Sequence, residues 1–193
     1  MPATIDHACG AMAAPRRPAA SAPPMHVVLF GAGHVGHALA GLLGSLPCVV
    51  EWVDERDECF PDETPANVRI EATDTPAAIV ERAPAGAYFV VMTHNHALDF
   101  DLTERILRRG DFAWFGLIGS RTKRAKFERR LVARGVEPAR LARIVCPVGV
   151  PGIVDKAPAS IAVAVAAQLL QVRGAAPAAN RVSAHRAPQP AGG

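Results

Sequence analysis

The chain has 193 residues, half of them hydrophobic, enough to bury a sizeable core as one domain. Its formal net charge of +3 is mild, and no run is long and apolar enough to span a bilayer, the most apolar being Ile161 to Ala167. The four cysteines, Cys9, Cys48, Cys59 and Cys146, form neither a C-x-x-C nor a disulfide framework, which fits a reducing cytoplasm.

Residues 1–24 are rich in Ala and Pro without periodicity and are expected to be a disordered lead-in. Arg16 and Arg17 are followed by no apolar signal core. Residues 174–193 have the same character as the lead-in, so the folded domain is expected over 25–173.

That domain opens on an apolar strand, Val27 to Phe30, which runs into Gly31-Ala32-Gly33-His34-Val35-Gly36, a G-x-G-x-x-G. The period then becomes helical, with Val35, Leu39, Leu42, Leu43 and Leu46 on one face. Strand, glycine turn and helix in this order are the context of a dinucleotide site. Gly31 permits the tight turn, Gly33 lets backbone approach a pyrophosphate, and Gly36 lets the helix sit close to the strand. A second strand, Val49 to Val53, ends at Asp54, 21 residues after Gly33. That is close to the spacing of a carboxylate that holds a ribose 2′-OH.

Beyond a polar loop, Asn67 to Glu71 read as a third strand. Thr75 to Arg82 read as a short helix with Thr75 at its N-cap and Pro76 in its first turn. Tyr88 to Met92 form a continuous apolar run, as a central parallel strand should. A helix follows to about Arg109, then a fifth strand, Ala113 to Ile118, and a basic helix, Arg121 to Arg134, capped by Ser120. A last strand is expected at Ile144 to Cys146, then a Gly/Pro-rich loop and an apolar helix, Ala159 to Val172. This alternation predicts an α/β fold with a doubly wound, Rossmann-like parallel sheet of about six strands. The last helix is apolar nearly all round, which suggests burial with part of its surface in a homodimer.

Ligands in such sheets bind outside the carboxyl ends of the strands. The candidates there are Gly31, Gly33, His34, Gly36 and Asp54 of the first unit, then His94 and His96 of THNHALD, Ser120 and Arg121 of GSRTKR, and Cys146 of CPVG. Two histidines at a strand end can bind an anion, shuttle protons or ligate a metal. No third ligand is evident from the spacing, so no metal site is expected. Gly119 to Arg143 holds nine Lys/Arg and two acids, net +7, while the rest of the chain carries 12 bases and 16 acids. Without an interleaved aromatic platform, this segment gives weak support to nucleic-acid binding, and none is expected.

The runs LFGAGHVGHAL, VVMTHNHALDFDL, FGLIGSRTKRAKFERRL and CPVGVPGI, with KAPASIAVAVAAQLL, resemble the carboxyl-terminal domain of XdhC/CoxI proteins, the xanthine dehydrogenase accessory factors, over roughly residues 25–170. The resemblance implies a chaperone rather than a catalyst. Such a protein binds molybdenum cofactor, protects it while a cysteine desulfurase installs its terminal sulfur, and aids its insertion into xanthine dehydrogenase or a related molybdenum hydroxylase. The family commonly carries an amino-terminal XdhC/CoxI domain ahead of this one. The expectation is therefore a short family member, or a partner domain on another polypeptide. Molybdopterin carries a phosphate and an oxo-rich metal. The glycine turn is thus expected to hold a phosphate or nucleotide, His94, His96, Ser120 and Arg121 the anionic end, and Cys146 the metal or the transferred sulfur. Two other readings stay open: an NAD(P)-dependent oxidoreductase, which the glycine motif and Asp54 support, and a nucleotide-sensing domain without turnover.

Overall fold

The computed structural model describes residues 24–175. Almost all of the expected lead-in and tail lie outside them. Six strands, β1 (Met25–Phe30), β2 (Cys48–Asp54), β3 (Val68–Ala72), β4 (Tyr88–Val91), β5 (Trp114–Leu117) and β6 (Ile144–Val145), form one sheet in the order β3-β2-β1-β4-β5-β6. Every neighbouring pair is parallel. The order reverses between β1 and β4, and a crevice opens at the carboxyl ends of such a reversal.

The helices are α1 (His34–Leu43), α2 (Pro76–Arg82), α3 (His96–Arg109), α4 (Arg121–Ala133), α5 (Pro138–Leu141) and α6 (Pro158–Ala175). The sheet's side chains alternate between two cores. Val28, Phe30, Phe89 and Phe115 pack with α2, α3, α4 and α5. Val27, Leu29, Trp52 and Val90 pack with α1 and α6. The doubly wound expectation holds because each crossover places its helix on one face or the other.

The differences from the sequence reading have local causes. The buried face of α1 is Gly36, Leu39, Ala40 and Leu43, with Val35 and, just past the helix, Leu46 packed against the same core, but not Leu42. Leu42 is exposed and the helix stops before Leu46. Because Gly36 is the point of contact, the face rotates onto the small residues beside it. Val132 of α4 is likewise exposed. Thr75 occupies the N-cap position of α2 but its side chain makes no capping bond; its own N–H instead donates to Thr73 Oγ1 at 3.2 Å. The four-residue α5 is too short to show a period. Helix α6 begins one residue earlier than expected and continues to Ala175. Asp155 closes the turn before it, accepting from Ala157 N–H at 3.0 Å and the Ser160 hydroxyl at 2.5 Å.

Two glycines are required by contact. Gly31 has φ +121°, and a Cβ there would stand 2.4 Å from the carbonyl oxygen of Met92. A Cβ on Gly36 would stand 2.1 Å from the carbonyl oxygen of Gly31. At Gly33 a Cβ would meet nothing within 4 Å. We therefore expect Gly36→Ala to destabilise the domain by about 3 kcal/mol, as overpacking against backbone does. Gly33→Ala should stay within about 1 kcal/mol of the parent, the scale of an N-cap change. Urea unfolding of the two variants beside the parent separates these outcomes.

Candidate functional site

The glycine turn is fastened to β2 by two side chains on one face of that strand. Trp52 Nε1 donates to the carbonyl oxygen of Gly31 at 3.0 Å, and Asp54 Oδ2 accepts from the Ala32 N–H at 2.6 Å. His37 and Phe60 each meet the Trp52 ring edge-on, with centroids 4.9 and 5.1 Å away. The turn is thus held from β2 while Gly33 and the exposed His34 open outward at the N-terminus of α1. The first N–H groups of a helix lack intrahelical partners and carry its positive dipole end.

Asp54 is almost wholly buried. Besides Ala32 it receives the Arg56 N–H and Nε on Oδ1 at 3.0 and 2.9 Å, and Arg56 Nη2 on Oδ2 at 3.1 Å. Two oxygens with two lone pairs each are then fully occupied by the chain itself. A ribose hydroxyl reaching Asp54 must displace part of this set. Burial pushes the Asp54 carboxyl up, but the hydrogen bonds from Arg56 and Ala32 outweigh it and hold it below its ordinary value.

A second junction joins the ends of β4 and β5. Asp99, fully buried, accepts from Thr93 N–H at 3.1 Å and the Thr93 hydroxyl at 2.7 Å, and pairs with Lys123 Nζ at 2.5 Å. Lys123 Nζ also donates to the Ile118 carbonyl at 2.9 Å and lies 5.5 Å from the centre of the Phe127 ring. THNHALD and GSRTKR are therefore bound to one another by a buried ion pair. Asn95 caps α3 by accepting from Ala97 and Leu98 N–H, and Ser120 caps α4 by accepting from Lys123 N–H. In the sequence Lys123 is one of nine bases between Gly119 and Arg143, with nothing local to set it apart. Asp99 on the inward face of α3, four residues after the Asn95 cap, was the available sign that a cation is needed nearby.

The candidate residues do not form one cluster. Gly31, Gly33, His34, Gly36, Asp54 and His94 gather at the switch point, where His94 borders a narrow crevice with Asp54, Glu55, Pro76 and Leu98. Ser120 and the exposed Arg121 open α4 at the next strand end. His96 points elsewhere, into a groove between α3 and α4 with Lys126, Phe127 and Arg130. Cys146 is buried against the turn of Gly119 and Ser120, its Sγ 3.7 and 3.9 Å from their carbonyl oxygens. Burial pushes this thiol up despite the nearby Lys123 and Arg124, so in this conformation it is a protonated core group and a poor nucleophile. Among the described residues, no three or more His, Cys, Asp or Glu side chains come together as a metal site, and no helix is long and apolar enough to cross a membrane.

Removing one member of the Asp99–Lys123 pair leaves a buried charge uncompensated. Lys123→Met and Asp99→Asn should each cost about 3–5 kcal/mol, and the double variant less than their sum. A double-mutant cycle in urea measures the coupling. For Asp54 the lowered folded-state value means that the native protein binds fewer protons than the unfolded chain. Its stabilisation is present above the unfolded value near pH 4 and is lost as pH falls through the folded one. Asp54→Asn should therefore be about 2 kcal/mol less stable at neutral pH, with the gap closing below about pH 4. Thermal unfolding across that range checks the sign.

A family model described as the XdhC Rossmann domain matches residues 27–169. The uncharacterized protein YqeB of Escherichia coli K12 is 34% identical over 156 residues, covering 78% of this chain and 28% of YqeB. A crystal structure described as a xanthine dehydrogenase from Bacillus halodurans shares the fold, with a TM-score of 0.67 at 23% identity, over 81% of this chain and 45% of that one. The chain thus spans less than half the length of either protein.

Proposed function

This chain belongs to the XdhC Rossmann-domain family, and on that premise we propose that it serves the maturation of a xanthine dehydrogenase-type molybdenum hydroxylase by holding molybdenum cofactor. The cofactor is cargo: it is kept while a cysteine desulfurase supplies its terminal sulfur, then passed to the apo-hydroxylase. On this reading the protein would act in the cytoplasm as a homodimer.

One observation carries this reading. The carboxyl edge at the switch point offers anion donors without a matched acid and base. The space before Gly33 is open in front of the free N–H groups of α1, which suits the phosphate of a pterin cofactor. Arg121 stands exposed in the first turn of α4, at the next strand end, with no carboxylate partner among the described residues, and His94 is exposed in the loop after β4. These groups fit an anionic, oxygen-rich ligand. The Cys146 thiol does not fit a metal or sulfur-transfer role, being buried and directed at two carbonyls. When bound, the cofactor brings the dithiolene-held metal that the hydroxylase later uses. This chain's residues would bind it and orient it.

The NAD(P)-dependent oxidoreductase meets an obstacle in Asp54, whose acceptor positions are all occupied by Ala32 and Arg56. A nucleotide sensor using only the phosphate cradle is less affected.

The test is anaerobic incubation of the purified protein with molybdenum cofactor, gel filtration, and assay of molybdenum and pterin in the protein peak, with NAD(H) titrated in parallel. Stoichiometric retention is expected. Arg121→Ala should weaken it about tenfold, the size of one charge-assisted hydrogen bond, and Cys146→Ser should leave it unchanged. Retention of NAD(H) without molybdenum would replace the chaperone with a nucleotide-binding role.

A further inference from the structure

The basic segment separates into two groups once its partners are assigned. Five of its nine cations meet a carboxylate or the carbonyls of another segment, while Arg129 bonds only the Ala125 carbonyl of its own helix and Arg130 lies over the Phe100 ring. Lys123 meets Asp99, Arg124 meets Glu128, and Arg134 meets Glu104. Arg140 donates to the carbonyls of Leu107 and Arg108, and Arg143 to those of Gly110 and Phe112. Among the described residues, the other four, Arg121, Lys126, Arg129 and Arg130, have no carboxylate partner. All four lie on α4, and Lys126, Arg129 and Arg130 have the i, i+3, i+4 spacing of a single stripe.

That stripe borders an open groove between α4 and the first turn of α3. Its floor is Phe127 with Ala97 and Ala133, and its rim is His96, Lys126, Arg129 and Arg130. No acid lines it. At about 580 Å³ it has room for several side chains rather than one small ion. We propose that this groove docks an acidic segment of a partner protein, with carboxylates on the rim cations and one apolar side chain on the floor.

The rim and floor favour a peptide over a nucleic acid. A base needs an aromatic face to stack on. Phe127 is buried and packs edge-on to Phe100, with centroids 5.2 Å apart and planes at 90°. The face of Phe100 is covered by the Arg130 guanidinium, 3.8 Å from its centroid. What remains is an apolar floor with a ring of positive charge, complementary to carboxylates flanking an aliphatic side chain. The groove lies away from the glycine cradle, so this inference does not depend on which ligand the switch point holds.

The probe is a fluorescein-labelled peptide with glutamates flanking a central leucine. It is titrated against the full chain by fluorescence anisotropy at low and high salt, beside its glutamine counterpart, its lysine counterpart, a thymidine oligonucleotide and anionic phosphatidylserine vesicles. The acidic peptide should bind, more weakly at high salt, with the glutamine and lysine forms well behind. The double variant Lys126→Glu with Arg129→Glu changes two exposed side chains that no ion pair of the fold uses. It should lose affinity for the acidic peptide by about tenfold or more and gain it for the lysine form. A circular dichroism spectrum identical to the parent's accompanies the comparison. No binding of the acidic peptide, equal binding by the folded double variant, or preference for the oligonucleotide or the vesicles would each overturn the proposal.

Discussion

The buried ion pair between Asp99 and Lys123 is the constraint on which the carboxyl edge depends. A carboxylate with no solvent contact is tolerated only if its charge and lone pairs are met. Here Lys123 supplies the charge and Thr93 the remaining donors. Because Asp99 belongs to α3 and Lys123 to α4, meeting that need fixes the loops after β4 and β5 against each other. The exposed groups carried by those loops, His94 on one and Ser120 and Arg121 on the other, inherit their positions from this buried pair.

The glycine turn is governed by a parallel arrangement on the other side of the switch point. β2 reaches across to hold the turn's carbonyl through Trp52 and its N–H through Asp54. In exchange, the acid that would ordinarily meet a ribose is taken up by backbone and by Arg56. The same residue type at the same spacing therefore serves the turn rather than the ligand in this conformation.

Charge in this protein is distributed with a division of labour. Arginines at the ends of α3 and α5 close helix carbonyls and join neighbouring loops, as Arg109 does with the carbonyls of Val80 and Ala83. Within the basic segment, the cations without a carboxylate partner among the described residues, Arg121, Lys126, Arg129 and Arg130, all lie on α4. A run that looks uniform along the chain is thus half scaffold and half surface.

Sequence alone determined the sheet and its reversal, because apolar runs, glycine spacing and helical periods are local signals that need no partner to be read. It also marked every strand end that reaches the candidate site, and the order of THNHALD, GSRTKR and CPVG carried the family. Only the tertiary structure decided what those residues do. It placed Asp54 under Arg56, buried Cys146 against two carbonyls, drew Lys123 inward to Asp99 and sent His94 and His96 into different spaces. Each outcome turns on a contact between residues distant in sequence, or on which side of a turn a side chain leaves. The physical reason is that a polar side chain's role is set by the partner that satisfies it, and that partner is chosen by packing rather than by spacing.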